Sequence, residues 1–171
     1  MTMIEFAKLE QQLYYGCREY KTVLDKIPIS EQILVYSFTK YKIFGEEAIS
    51  SWCNRIGEKL GFESGSFQVK FNKSRKRRAA ASPWSKMLFF PQNTSIHTII
   101  HEFTHFLAED TSRKGSIHND GFVKHLRESL SIIKEYAEEW GIKVYTRKEI
   151  ISVLSDDDLL DKFFPYETPI N

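Results

Sequence analysis

Histidine offers a metal ion a neutral nitrogen and glutamate offers a reaction a base, and five consecutive residues of the chain combine them. The segment "HEFTH" runs from His101 to His105. Residues four apart on a helix share a face, so both imidazoles can reach one ion. Glu102 is turned roughly 100° from His101 about the axis, where it can hold a water without occupying a coordination position. Zinc lowers the pKa of a coordinated water toward neutrality, and a neighbouring carboxylate takes the proton as that water attacks a carbonyl. The spacing therefore predicts one zinc ion per chain, with His101 and His105 as ligands and Glu102 as general base. Two surface histidines and a solvated glutamate on an ordinary helix would spell the same five letters. The helical context, the strand-like residues before it and a further histidine downstream favour the metal.

A catalytic zinc takes three protein ligands and keeps one position open. Four of the five histidines fall between positions 97 and 122. His97 continues the stripe of His101 and His105, but His97 and His105 lie about 12 Å apart along a helix axis. Zinc–nitrogen bonds of about 2 Å do not span that gap, so His97 is expected in the first turn or on the substrate side. His118, just before the next helix, is the better third ligand. His125 sits on that helix and would need a different approach. Asn119 or Asp120 can cap the helix and fix the imidazole of His118, and Asp120 or Glu128 can accept from a ligand's second ring nitrogen. Other zinc-peptidase patterns fit less well. The metzincin pattern wants Gly and His where the chain has Ala108 and Thr111. A thermolysin-like site would draw on Glu128 or Glu135, which read more simply as the solvated face of their helix.

"HEFTH" followed by "HNDGF" resembles the SprT-like and related minimal zinc metallopeptidases, with HExxH and a downstream H-G-x-x-F signature. The resemblance covers roughly residues 45 to 140 and is specific mainly at the two motifs. It implies a zincin fold, a peptidase activity, His101, His105 and His118 as ligands, Glu102 as base and Phe122 as a packing residue. Asn119 stands where the family usually has Gly, and Asn tolerates unusual backbone angles. The C-terminal zinc ribbon of some members has no counterpart here.

The run "KSRKRR" places Lys73, Arg75, Lys76, Arg77 and Arg78 within six residues. It reads either as a charged loop that keeps a sheet edge from pairing, or as a phosphate-contacting loop of the kind the SprT-like group suggests, with Trp84 nearby to stack on unpaired bases. A formal net charge of +1 favours the first. A group must also stabilise the oxyanion formed when water attacks; Tyr145, His125 and Arg127 are candidates, with Tyr145 preferred. Cys53 lies among apolar neighbours and reads as a core thiol rather than a nucleophile.

The elements that must position these groups are legible to different degrees. At 171 residues the chain suffices for one domain with a sizeable core, which 14% aromatic residues should fill with rings. Two cysteines, Cys17 and Cys53, exclude a disulfide framework and a cysteine zinc ribbon and suit a reducing compartment. The N-terminus carries Glu5 and Glu10 among its apolar residues, unlike a signal peptide, and no apolar run approaches membrane-spanning length. A cytoplasmic protein without membrane contact is expected. Phe6, Leu9, Leu13, Cys17, Tyr20 and Leu24 fall at helical spacing up to Pro28. Ser30 is the expected N-cap of a second helix, "SEQILVYSFTKYKIF", and a third carries Ile49, Trp52, Ile56 and Leu60 up to Gly61. "SFQVKF" alternates like a strand with Phe67, Val69 and Phe71 on one face, and with "AAAS" and "KMLFF" it predicts a short antiparallel or mixed sheet ending at Pro91. The helix of the motif then presents Ile96, Ile99, Ile100, Phe103 and Leu107 to the core. A long amphipathic helix starts at "NDGF" and stops at Gly141. A strand "IKVY" and a capping box, "TRKE", that opens a last helix complete the chain.

One α+β domain is expected: a helical part over 1–62, a sheet and catalytic core over 63–145, and a helical part over 146–171. Its expected function is zinc-dependent hydrolysis of peptide bonds in a protein or peptide substrate, with DNA-associated proteins suggested by the resemblance. The rival reading is a nucleic-acid-binding or interaction module whose zinc site is structural or degenerate; an intact Glu102 speaks against it.

Overall fold

The computed structural model describes residue 23 and residues 26–72, 79–108 and 118–154. Most of the first predicted helix, the basic run Lys73–Arg78, the link between the two histidine motifs and the chain beyond residue 154 lie outside them. Among the described residues the chain forms five helices and two small sheets, an α+β arrangement. None of these helices is long and apolar enough to cross a membrane.

Pro28 rather than Ser30 opens α1 (Ile29–Lys40). The proline carbonyl accepts the amides of Glu31 and Gln32 at 2.9 and 3.0 Å, so Ser30 already lies in the first turn. Nor does α1 run on through "KIF". Tyr41 turns to an extended conformation, and Lys42–Phe44 become strand β1 with only Ile43 buried. Period-two burial of a β-branched residue suits a strand, and β1 finds its partner fifty residues on. It pairs antiparallel with β5 (Asn93–Ser95), Ile43 opposite Thr94. The predicted helical part over 1–62 thus contains a strand that pairs with the core.

Gly45, at φ 92°, lets the chain leave β1 and enter α2 (Glu46–Lys59). Ile49, Ile56 and the capping Leu60 are buried as the stripe predicts, while Trp52 is only part-buried and Cys53 beside it is fully buried. The second sheet holds β2 (Gln68–Phe71), β3 (Ala80–Ser82) and β4 (Met87–Phe90) in the order β2-β4-β3. It is mixed: β4 runs parallel to β2 and antiparallel to β3. The apolar run "MLFF" takes the central place, since only a middle strand is covered along both edges. The chain from 72 to 79 is accordingly a crossover to the far edge, not the tip of a β2–β3 hairpin.

The motif helix, α3 (Ile96–Leu107), packs on α1, α2, β3, β5 and α4 (Asp120–Ala137). Phe103 anchors this centre. It is fully buried, stacks on Phe62 at 5.3 Å and meets Phe67 edge-on at 5.1 Å. The C-terminal end of α4 is tied to α2 through Trp52, Trp140 and Tyr136, with the Arg55 guanidinium 4.5 Å from the Trp52 ring centre. Beyond Gly141, the residues "IKVY" form no strand: the Tyr145 amide donates to Ser37 Oγ on α1 at 2.9 Å instead of to a sheet partner. Thr146 and Glu149 then close the predicted capping box ahead of α5 (Arg147–Leu154), with reciprocal bonds of 3.1 and 3.2 Å.

Candidate metal centre

Helix α3 starts from a fixed point. Ser95, the last residue of β5, caps it by accepting the Thr98 amide at 3.1 Å, and the Ile96 amide donates to the Tyr41 carbonyl beside β1. Ile96, Ile99, Ile100, Phe103 and Phe106 fill the core on one side; Leu107, expected among them, is only part-buried. His101 and His105 then emerge one turn apart, with Nε2 atoms 3.2 Å from each other.

Helix α4 brings the third imidazole. Asn119 caps it by accepting the Phe122 amide at 3.1 Å, with ordinary extended backbone (φ −81°, ψ −173°) rather than the unusual angles a glycine would have supplied. His118, immediately before the cap, is buried and sets its Nε2 3.2 Å from that of His101. One ligand atom from each of His101, His105 and His118 lies within 4.8 Å of the others. Two nitrogens about 2 Å from a common tetrahedral ion are roughly 3.3 Å apart, so this cluster has the dimensions of a metal site. The donor set fits as well. Burial and the neighbouring imidazoles hold the His101 pKa well below the ordinary histidine range; burial, then His118, lowers His105 to about 4. His101 and His105 thus stay neutral and present lone pairs, as ligation requires. Three histidines can hold a metal ion here.

Glu102 points to the next flank of the helix. It is 5% exposed, its Oε2 has no hydrogen-bond partner among the described residues, and burial raises its pKa to about 8. A buried carboxyl oxygen left without a donor is costly unless something else comes to it.

The remaining candidates fall elsewhere. His97 is buried in the first turn of α3, its ring centre 6.1 Å from that of His101 and outside the cluster; burial, then the Lys42 charge, lowers its pKa to about 3. His125 lies 3.7 Å from Glu128, and Arg127 grips Glu31 at 2.9 Å. Neither Glu128 nor Glu135 joins the cluster. Tyr145 is held to α1, its ring edge-on to Tyr36 at 5.4 Å, and none of these contacts links it to the histidines. The expected acceptors for a ligand's second nitrogen are engaged as well: Asp120 pairs with Lys26 and Glu128 with His125. Trp84 is 71% exposed in the turn between β3 and β4, and Cys53 is buried in the core. The spacing argument did not find the way Phe122 sits against all three imidazoles, although its place four residues after His118 was a readable signal. No family model, no curated protein and no solved structure matches the chain.

Proposed function

We propose that this chain is a zinc-dependent peptidase of the minimal zincin type, SprT-like in its order of ligands, acting on protein or peptide substrates. One observation carries the reading: three imidazole nitrogens converge, and the residue after the first of them, Glu102, has a buried carboxyl oxygen with no hydrogen-bond partner among the described residues. A purely structural site has no use for such a carboxylate, whereas a hydrolytic site needs a base next to its ion. His101, His105 and His118 would hold the ion, one per chain. Imidazole ligands suit several first-row metals, and a three-histidine set with an adjacent base is best matched by zinc.

When bound, zinc supplies Lewis acidity, polarising the scissile carbonyl and acidifying water. The residues supply the rest. His101 and His105 enter neutral, so no proton has to leave them first. Glu102 accepts the proton of the attacking water at Oε2 and later delivers it to the departing amide nitrogen. Burial raises the Glu102 carboxyl in the metal-free chain, and a bound dication would draw it back down, toward the range in which one group serves as base and acid in turn. The apolar wall of α3 keeps bulk water from competing for that oxygen.

The test compares wild type with Glu102→Gln after zinc reconstitution. Both should hold about one zinc, while cleavage of an unfolded protein substrate should fall by roughly 10²- to 10⁴-fold in the variant. Equal cleavage by both would remove Glu102 as base. A zinc-loaded wild type that cuts nothing in a broad mixture of unfolded peptides would leave the non-catalytic zinc module as the better reading.

A further inference from the structure

Phe122 is fully buried in the first turn of α4, and all three imidazoles close around it. Its ring centre lies 5.0 Å from that of His101, 4.8 Å from His105 and 4.8 Å from His118, at interplanar angles of 59°, 40° and 71°. Two rings from α3 and one from the turn before α4 thus meet one aromatic ring at nearly equal distances. Its own position is fixed by the Asn119 cap, whose acceptor bond goes to the Phe122 amide. His118 precedes that cap directly. One hydrogen bond therefore sets the third imidazole and the ring it leans on together.

We infer that Phe122 is a positioning residue for the metal: a flat template that holds the three imidazoles in a tetrahedral arrangement before the ion arrives. This inference rests on the metal-site reading above and goes beyond the packing role expected of Phe122. The two 3.2 Å contacts both converge on His101 Nε2, which as a single atom cannot by itself fix the orientation of three rings. A rigid ring in edge and tilted contact with each limits how far any of them can rotate. An aliphatic side chain of similar volume fills the space but leaves the rings free to turn. The groups around the ligands set metal affinity and geometry nearly as strongly as the ligands do.

The experiment uses the full chain with Phe122→Leu and, in case leucine packs badly, Phe122→Met. Circular dichroism and thermal melts of the metal-free proteins first establish that each is folded. Zinc affinity is then measured by competition with a chelator, and the visible absorption of the cobalt(II)-substituted proteins reports coordination geometry. The expected result is zinc binding weakened by roughly 10- to 100-fold, with cobalt bands that shift or lose intensity while the metal-free fold is retained. A folded variant with the wild-type cobalt spectrum overturns the inference even if it melts earlier, because Phe122 would then serve the core alone. A wild type that binds neither zinc nor cobalt removes the metal reading and this inference with it; failure to cleave peptides touches neither the affinity nor the spectrum.

Discussion

His97 and His118 are equally buried, each 8% exposed, yet only His118 belongs to the cluster. The difference is where the backbone delivers them. His97 precedes His101 by one turn and His105 by two on one straight helix, which keeps it from reaching an ion shared with His105. His118 arrives from the turn before α4 and meets no such limit. His118→Ala should weaken zinc binding at least tenfold and His97→Ala should leave it nearly unchanged, as read by chelator competition. The reverse order would move the site one turn toward the start of α3. Helix arithmetic made that choice legible in the sequence, because it needs only positions. The tilt of three rings about Phe122 was not, because it depends on how two helices pack. Cys53 makes a separate prediction at this scale. Burial pushes its thiol well above the ordinary range, so little thiolate forms near neutral pH. In a Cys17→Ser background, a disulfide reagent should leave the native protein unlabelled and react fully once denaturant unfolds it. Prompt native labelling would contradict the burial.

At the scale of elements, α2 reaches α3 through Gly57. A Cβ there would lie 2.8 Å from the far end of the Phe103 ring and 3.1 Å from Phe67. Alanine favours a helix over glycine by about 1 kcal/mol, but overpacking a core costs about 1–3 kcal/mol. Phe103 is fully buried between Phe62 and Phe67 and has little room to yield, so the clash should win. Gly57→Ala should destabilise by up to about 2 kcal/mol in a urea melt, and a stabilised variant would show that the rings shift freely. Helix α5 offers a pH signature. Bonds from Lys143 and Thr146 hold the Glu149 carboxyl below its ordinary range. A depressed carboxyl stabilises the fold above its unfolded pKa, and that contribution is lost as pH falls through the folded value. Thr146→Ala should therefore lower stability at neutral pH and change it less in acid, with the Glu149 titration, followed by NMR, moving upward. The capping box was legible because its bonds are local. Strands β1 and β5 were not, since each is three residues long and means nothing without its distant partner. "IKVY" erred the other way: its alternation is that of a strand, but among the described residues it pairs with none, and the Tyr145 amide turns to Ser37 instead.

For the molecule as a whole, the metal would join α3 to α4, two helices whose connection lies outside the described residues. An ion bound only by the folded chain adds RT ln(1 + [L]/Kd), about 2.7 kcal/mol at a hundredfold excess over Kd. Chelation should lower the melting temperature of wild type and leave that of a His101→Ala, His105→Ala variant almost unmoved; equal shifts in both would place the ion elsewhere. The basic run is tested at this scale as well. If the crossover contacts phosphate, changing Arg75, Arg77, Arg78 and Lys76 to alanine should weaken binding of a single-stranded oligonucleotide and flatten its salt dependence. No affinity of the wild type at low salt would leave the run as a solubilising loop. The α+β class was readable from the switch between helical and alternating patterns, whereas the mixed order of the larger sheet depends on which strand wins the centre.

The pairing of β1 with β5 also has a consequence during synthesis. A ribosome releases the chain from its N-terminus, and domains form as their parts emerge. Ile43 and Thr94 face each other, and all five histidines follow position 95. When the first of them leaves the exit tunnel, both halves of that ribbon and all three strands of the larger sheet have already been made. An ion held by His101, His105 and His118 would therefore meet a nascent chain in which the strands of the scaffold are made before the histidines that bind it.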